Sequence, residues 1–395
     1  VAAESARQRL YRLGILDHVE LHFAPDAPAE VRDAVFELKE GRDMEVNLLL
    51  GYGSYEMLRG GAEFEWNNLF GLAHGIRLRG LKSFKSTAGN ALYTVPEILG
   101  EDLTASAEAK VLLREEISFD REEYGGSAGL SRFLPPLRST IGLRYNLEFL
   151  RATDVHGDLP SSFQESRVAG FIFDFKHDGR DNPVMPRRGF KLFGNLEVSS
   201  DALGANVEYQ RLEVSSAWHH QLPWTQILHL GIGHGVAFTP GDPADELPLN
   251  RRFFPGGENT VRGYQYGEAA PRNASGDLVG AETYLLGNLE LEQPLTPHWS
   301  VVAFLDAVGV AEHLDDYPFD EVLWSVGGGI RLRTVVGPVR LEYGYNPDPR
   351  PDDPQGTIQF SFGFPFCQTY PPPFRPPPPN PDLRVRAKTR SESWA

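Results

Sequence analysis

Residues 139–151 read STIGLRYNLEFLR, and their apolar and polar side chains alternate one by one. The odd positions from Ile141 to Phe149 are all apolar or aromatic, whereas the even positions include Arg144 and Glu148. A period of two is that of a β-strand with one dry face and one wet face. The stretch therefore predicts a strand whose two faces meet different environments.

The same alternation recurs between Met44 and Phe366, with turn residues between the runs. Many runs exceed the ~5–6 residues usual for soluble strands and reach the ~9–11 residues that a membrane-spanning strand needs. About sixteen runs share the pattern, near residues 44–53, 57–67, 73–83, 90–98, 103–117, 120–133, 137–151, 162–177, 189–200, 204–220, 224–239, 281–293, 299–311, 321–334, 337–347 and 356–366.

Two architectures give a strand one dry and one wet face. A soluble sandwich buries the apolar face between two sheets, whereas a transmembrane barrel turns it to lipid and keeps the charged face in the lumen. The long runs, the mid-strand charges and the alternation of short and long links favour the barrel. An even number of strands also leaves no open edge, which lipid requires. We predict an all-β transmembrane barrel of about 16 antiparallel strands, with the sandwich as the alternative.

Composition bounds the function. The net charge of −16 over 395 residues argues against a nucleic-acid-binding surface. No apolar run approaches the ~18 residues of a spanning helix, and the one cysteine, Cys367, excludes an intrachain disulfide. We found no nucleophile elbow, phosphate loop or HExxH motif. The sequence therefore predicts no enzyme activity, cofactor or metal site, and the adjacent His219 and His220 should face opposite ways.

Both flanks of the barrel region differ from it. Residues 1–13 predict a short amphipathic helix ended by Gly14, and two alternating runs follow at 15–23 and 30–39. This α+β fragment is too short to bury a core alone. We therefore expect the chain, which opens in mid-domain, to be a mature or truncated piece. Residues 367–395 are Pro-rich and then basic, so they should lack a core.

Several motifs resemble those of one family. The chain contains RRFFPGGENTVRGYQYG at 251–267, GNLELEQPL at 287–295, FLDAVGV at 304–310 and GTIQFSFGFPF at 356–366. Together they resemble the BamA/TamA superfamily of outer-membrane assembly factors, over almost the whole chain to its closing aromatic residue. The sequence around the VRGY segment looks most similar to that of the TamA branch.

The resemblance implies a domain organisation. Residues 1–42 would be the C-terminal part of the last POTRA domain, and residues 43–366 the barrel. A long loop at about 240–280 would fold into the lumen, and residues 367–395 would be a C-terminal extension. The protein would be integral to a bacterial outer membrane, with its POTRA part and tail in the periplasm.

The resemblance also implies a latch at the tip of that loop. Alternation independently turns residues 290 and 306 toward the lumen on neighbouring strands, and an arginine fork fits two carboxylates. Gly263 would let the backbone turn sharply. An ordinary solvated loop arginine is the alternative. The latch motif is Val261, Arg262, Gly263 and Tyr264, and its lumen partners are Glu290, Asp306 and Phe304.

A lateral gate between the first and last barrel strands is the mechanism that the resemblance implies. Unpaired strand edges are costly in lipid, and a client strand can satisfy them by strand addition. The expected partners are client outer-membrane or secreted proteins, the bilayer, and an accessory subunit that spans the periplasm or is a lipoprotein. The expected gate residues are Gly51, Gly53, Phe360, Phe362, Gly363, Phe364 and Phe366.

Two rival functions remain open from the sequence. A secretion pore of the same superfamily would export a dedicated partner protein through the lumen, and a structural or diffusion porin would need no latch.

The sequence also departs from the family pattern at Val308, where a glycine is expected, and in continuing past Phe366. The packing of the loop against its strand is therefore expected to differ locally.

Overall fold

The computed structural model describes residues 2–23, 33–100, 102–155, 165–183, 185–240, 247–317, 321–334 and 337–362. It begins with helix α1 (Ala2–Arg12) and a two-stranded antiparallel sheet of β1 (Leu16–Phe23) and β2 (Ala34–Glu40). Gly14 follows α1 at a φ of 74°, a left-handed conformation that ends helices. The predicted helix and strand pair are thus confirmed.

Sixteen antiparallel strands then close into one barrel, which confirms the predicted fold class. Each strand pairs with its neighbours in the chain, and β18 pairs with β3 to close the ring. The barrel strands are β3 (Met44–Gly53), β4 (Met57–Leu69), β5 (His74–Ser83), β6 (Ser86–Val95), β7 (Leu103–Glu115), β8 (Asp120–Leu134), β9 (Ser139–Thr153), β10 (Glu165–Asp178), β11 (Gly189–Ser199), β12 (Tyr209–Gln221), β13 (Ile227–Phe238), β14 (Thr283–Pro294), β15 (Trp299–Ala311), β16 (Glu321–Thr334), β17 (Gly337–Tyr345) and β18 (Gly356–Phe362).

The two faces of the barrel wall follow the alternation of the sequence. In β9, Leu143 is 52% exposed and Phe149 37%, whereas Asn146 is 2% and Glu148 1% exposed. The apolar side chains therefore cover the outside and the polar ones line a filled lumen, as in a transmembrane barrel and opposite to a soluble protein. Among the described residues, no helix has the length and apolar character needed to cross a membrane.

Two strands begin more than three residues away from their predicted starts, and turn chemistry accounts for both. The run predicted at 90–98 is β6, which starts earlier because Ser83 Oγ accepts the backbone N–H of Ser86 at 2.8 Å and closes a tight turn. The run predicted at 204–220 starts later, at Tyr209, because Gly204 ends a short 3₁₀ turn at a φ of 103°. Local side-chain and glycine geometry thus overrides the alternation at strand ends.

Helix α1 is tied to the barrel by two arginines. Arg12 Nη2 lies 2.7 Å from Asp102 Oδ1, and Arg9 pairs with Glu97, both in or beside the link between β6 and β7. Tyr11 Oη also accepts the backbone N–H of Val19 at 3.1 Å, which packs the helix on β1. The N-terminal fragment therefore docks on the end of the barrel at which the strand links 70–73, 96–102 and 135–138 lie.

A closed barrel wall predicts resistance to detergent. We expect the purified protein in SDS to migrate at a different position before and after boiling, because the wall has no edge at which unfolding can begin. Gel mobility with and without heating measures this. The soluble sandwich considered above would migrate identically in both lanes.

Candidate functional site

The link between β13 and β14, residues 239–282, is here named the inward loop. Within its described part, Val261, Tyr264, Ala269 and Ala270 are fully buried. Val261 and Tyr264 join a core cluster with residues of the wall, including Val308 and Val310 of β15. A solvated surface loop would leave such side chains exposed, so this loop lies inside the barrel.

Arg262 lies at the tip of the inward loop and faces two of the residues expected from the sequence. Its Nε and Nη2 donate to the two carboxylate oxygens of Asp306, each at 2.8 Å. Its Nη1 donates to Glu290 Oε2 at 2.6 Å, and its backbone N–H reaches Asp306 Oδ2 at 3.1 Å. The paired contacts to Asp306 are the bidentate geometry that lysine cannot reproduce.

The site also contains residues that the sequence reasoning did not assign. Glu342 Oε2 accepts from Arg262 Nη1 at 3.2 Å. Arg331 bridges Glu290 and Glu342, with its shortest contact to each at 2.6 Å. Glu342 lies on the polar face of the alternating run 339–345, so the alternation predicts that its side chain points into the lumen. Its position along the barrel axis could not be predicted, because alternation within one strand does not define the register between strands.

The charges of this cluster explain how a guanidinium stays buried. Asp306, Glu290 and Glu342 supply three negative charges against two positive charges from Arg262 and Arg331. Burial by itself lowers the pKa of Arg262, but the hydrogen bonds and charges of Asp306 and the two glutamates raise it above its ordinary value. Arg262 is therefore charged at every physiological pH.

Phe304 covers the open face of the guanidinium. The Cζ atom of Arg262 lies 3.5 Å from the centroid of the Phe304 ring, and Phe304 itself is buried. A desolvated cation over an aromatic face contributes about 2 kcal/mol. Phe304 and Asp306 come from the same inward face of β15, so one strand supplies both the anion and the ring.

Gly263 lies in a tight turn, which the backbone N–H of Tyr264 closes by donating to the Val261 carbonyl at 3.2 Å. Its φ is not positive, so close approach of neighbouring side chains is what requires a glycine here. A Cβ at this position would overlap the side chain of Asn346 and contact Ser325 Cβ at 2.7 Å. The Gly263 carbonyl instead accepts hydrogen bonds from Asn346 Nδ2 and Thr357 Oγ1, each at 2.9 Å.

Val308 fills part of the seat for the loop tip. It is fully buried and belongs to the same core cluster as Val261 and Tyr264. A glycine here would remove three heavy atoms from that cluster. The departure from the family pattern therefore corresponds to a local apolar contact.

The seam is the junction between β18 and β3. Within the described residues, it contains the pairs Ser361–Gly53 and Phe362–Tyr52, and Phe362 is the last described residue of β18. The rings of Phe360 and Tyr52 lie 5.4 Å apart. Among the expected gate residues, Gly51 and Gly53 lie in β3, Phe360 and Phe362 lie in β18, and Gly363, Phe364 and Phe366 lie outside the described residues.

One lumen cluster has the residue types of a metal site. His229, Glu290 and Glu292 bring their ligand atoms within 4.8 Å of one another. The carboxylates are already bound by arginines, since Arg331 holds Glu290 and Arg333 Nη2 lies 2.8 Å from Glu292. The cluster therefore serves the ion-pair network of the wall.

Comparison with models of known protein families identifies the family of this barrel with its inward loop. The model of the Omp85 superfamily domain matches residues 68–366. The chain belongs to the Omp85 superfamily. With its lipid-facing exterior and sixteen strands, it is an outer-membrane β-barrel.

Two curated relatives illustrate the range of this similarity. The outer membrane protein assembly factor BamA of Nitratidesulfovibrio vulgaris is 26% identical over 374 residues, which cover 91% of this chain and 46% of the relative. The sorting and assembly machinery component 50 homolog A of Xenopus laevis is 24% identical over 361 residues, covering 87% and 74%. The chain thus spans about half the length of the bacterial relatives it matches.

Solved structures agree on the fold. BamA from Haemophilus ducreyi lacking POTRA domains 1–3 superposes with a TM-score of 0.75 at 19% identity, over 92% of this chain and 78% of that one. CdiB from Escherichia coli gives 0.58 at 17% identity, over 91% and 69%. The likeness at this identity concerns the fold alone.

Reversing the charge of Arg262 should release the tip of the inward loop. In Arg262→Glu, the fully buried Asp306 faces a like charge, and breaking such a buried pair costs about 3–5 kcal/mol. We expect a lower unfolding midpoint in urea and a lower temperature at which the gel mobility changes. Arg187→Glu, in an exposed strand link, is the control and should behave as wild type.

Adding Asp306→Arg to Arg262→Glu restores an ion pair of opposite polarity. We expect partial recovery of stability in the double variant, because the pair remains close while its bidentate geometry and its match to Glu290 are lost. Equal stability of Arg262→Glu and wild type would show that Arg262 is an ordinary loop arginine.

Proposed function

We propose that this protein assembles other proteins into a bacterial outer membrane by opening the seam between β18 and β3. The observation that carries the proposal is the topology of that seam. β18 and β3 are the last and first strands of the barrel, and no link between consecutive strands joins them, unlike the other junctions of the described wall. Opening it exposes backbone donors and acceptors that lipid cannot satisfy, and an incoming strand can satisfy them by pairing.

The inward loop supports an assembly role over a passive pore. A diffusion porin needs an open lumen, whereas here an arginine, a tyrosine and several apolar residues of one loop are buried inside the barrel. The relatives at 24–26% identity are named assembly components, in a bacterium and in a vertebrate. They support the same class of function, and their names are not those of enzymes.

The domain organisation is part of the proposal. Residues 1–42 would end a POTRA domain in the periplasm, whereas the expected C-terminal extension, residues 367–395, lies outside the described residues. The docking of α1 on the strand links through Arg12 and Asp102 supports this placement of the N-terminal part. The partners would be client outer-membrane or secreted proteins, the bilayer and an accessory subunit. By the sequence of its VRGY loop, the chain would be related most nearly to the TamA branch.

Locking the seam should block client assembly. Gly53 and Ser361 are direct partners across it, and paired Cα atoms of antiparallel strands, about 4.5–5.5 Å apart, suit a disulfide. In a Cys367→Ser background, oxidised Gly53→Cys/Ser361→Cys should fold no denatured barrel client into liposomes, and reductant should restore activity. A gel assay of heat-modifiable client measures the yield.

A matched pair elsewhere in the wall provides the control. Ser131 and Gly142 are partners on β8 and β9, again a serine opposite a glycine. Oxidised Ser131→Cys/Gly142→Cys should assemble clients normally. Full client assembly with the seam disulfide formed would refute the lateral gate. Retained export of a protein through the lumen in that state would indicate a secretion pore instead.

A further inference from the structure

A second buried arginine, Arg251, lies near the start of the inward loop. It belongs to a short 3₁₀ turn, Leu249–Arg251, in which all three residues are buried. Arg251 Nη2 donates to Glu148 Oε2 at 2.6 Å, and its Nε donates to Tyr209 Oη at 2.8 Å. This arginine is eleven positions before Arg262 in the chain and binds a different part of the wall.

The seat of Arg251 resembles that of Arg262 in its charge. Glu123 and Glu197 also approach the guanidinium, each at 3.5 Å, and Lys110 Nζ lies 2.5 Å from Glu148. Three carboxylates therefore face Arg251, as three face Arg262, and Lys110 and Arg121 also pair with members of this set. Burial lowers the pKa of Arg251, but its phenol and carboxylate neighbours raise it well above its ordinary value. Such a site holds a permanent cation without solvent.

Apolar and backbone contacts complete this end of the loop. Leu249 forms a buried cluster with Phe119 of the link between β7 and β8 and with Ala152 of β9. Arg211 Nε donates to the backbone carbonyl of Arg251 at 3.2 Å. The segment is therefore fixed by its main chain as well as by its guanidinium.

The strands that hold Arg251 lie across the barrel from the seam. They are β8, β9, β11 and β12, here named the back wall. In the closed order of sixteen strands, the point opposite the junction of β18 and β3 is the junction of β10 and β11. The back wall lies on both sides of that point.

The other end of the same loop segment binds the last strand. Gln359 Nε2 donates to the Tyr264 carbonyl at 2.9 Å, and Thr357 Oγ1 donates to the Gly263 carbonyl at 2.9 Å. Both partners lie in β18. A short stretch of backbone, from Arg251 to Tyr264, thus connects the back wall to one side of the seam.

We propose that this stretch is a strut across the lumen, and that Arg251 is the positioning residue that fixes its back-wall end. Held at both ends, the strut keeps β18 in place against β3. If the strut is released from the back wall, β18 and the loop tip can move together. The seam is then closed for a smaller fraction of the time. The inference rests on the proposed role of the seam and adds what restrains it.

The test measures seam closure directly, in purified full-length protein in liposomes. The reporter is the rate at which the Gly53→Cys/Ser361→Cys pair forms a disulfide under a mild oxidant, in the Cys367→Ser background. We expect Arg251→Met to slow this rate at least about fivefold, the lower end of ordinary coupling between two sites. Tyr209→Phe removes one acceptor without changing the packing volume, and should slow the rate less and in the same direction.

A matched control separates a strut from general loss of lumen ion pairs. Arg144 pairs with Asp174 between β9 and β10, so both partners belong to the wall itself. Arg144→Met should leave the disulfide rate unchanged. Equal slowing by Arg144→Met and Arg251→Met would overturn the proposal, as would wild-type rates in both Arg251→Met and Tyr209→Phe.

The outcome is independent of the assembly assay. If the seam disulfide blocks client assembly but Arg251→Met leaves its rate of formation unchanged, the gate stands and the strut fails. If Arg251→Met slows the disulfide while the locked seam still assembles clients, the strut stands and the gate fails. Should Arg251→Met not fold, Tyr209→Phe carries the decision alone, because it retains every charge of the seat.

Discussion

The guanidinium of Arg262 is buried and bound by carboxylates of three different strands instead of by water. The position of the inward loop depends on these ion pairs. An unpaired buried charge would cost several kcal/mol, so the loop tip has one place in the lumen where it is stable. That place lies on β14, β15 and β17, and the carbonyl groups beside Arg262 then bind β18. The ion cluster therefore sets which strands the loop supports.

The barrel and its lining could be predicted from the sequence because both depend on a period of two. Alternation gave the number of strands, the lipid-facing set and the inward direction of Glu290 and Asp306. Strand ends were less accurate, since they depend on single contacts such as the turn closed by Ser83. The pattern of a strand is a property of many residues, whereas its end is a property of one or two.

The membership of the site was predictable only in part. Glu342 and Arg331 point inward by alternation, but their height beside Arg262 follows from the register between β16 and β17, which no single-strand pattern contains. Arg251 belongs to the same quoted motif as Arg262 and still gave no signal, because its partners lie 42 to 128 positions earlier, on four different strands. Gly263 was singled out correctly as a position, while its physical reason, contact with Asn346, required the structure.

The inward loop has a consequence for how the chain can reach this state. At one end it touches strands that precede it, with Arg251 and Glu148 separated by 103 positions. At the other it touches strands that follow it, with Arg262 and Glu342 separated by 80 positions. Contacts of such high sequence separation form late, since chain-closure entropy opposes them. If the barrel closed first, the charged side chains of Arg251 and Arg262 would have to enter the lumen afterwards through its open end. Wrapping the later strands around a loop that already rests on the earlier ones avoids that step, so the last strand meets the first around an interior that is already occupied.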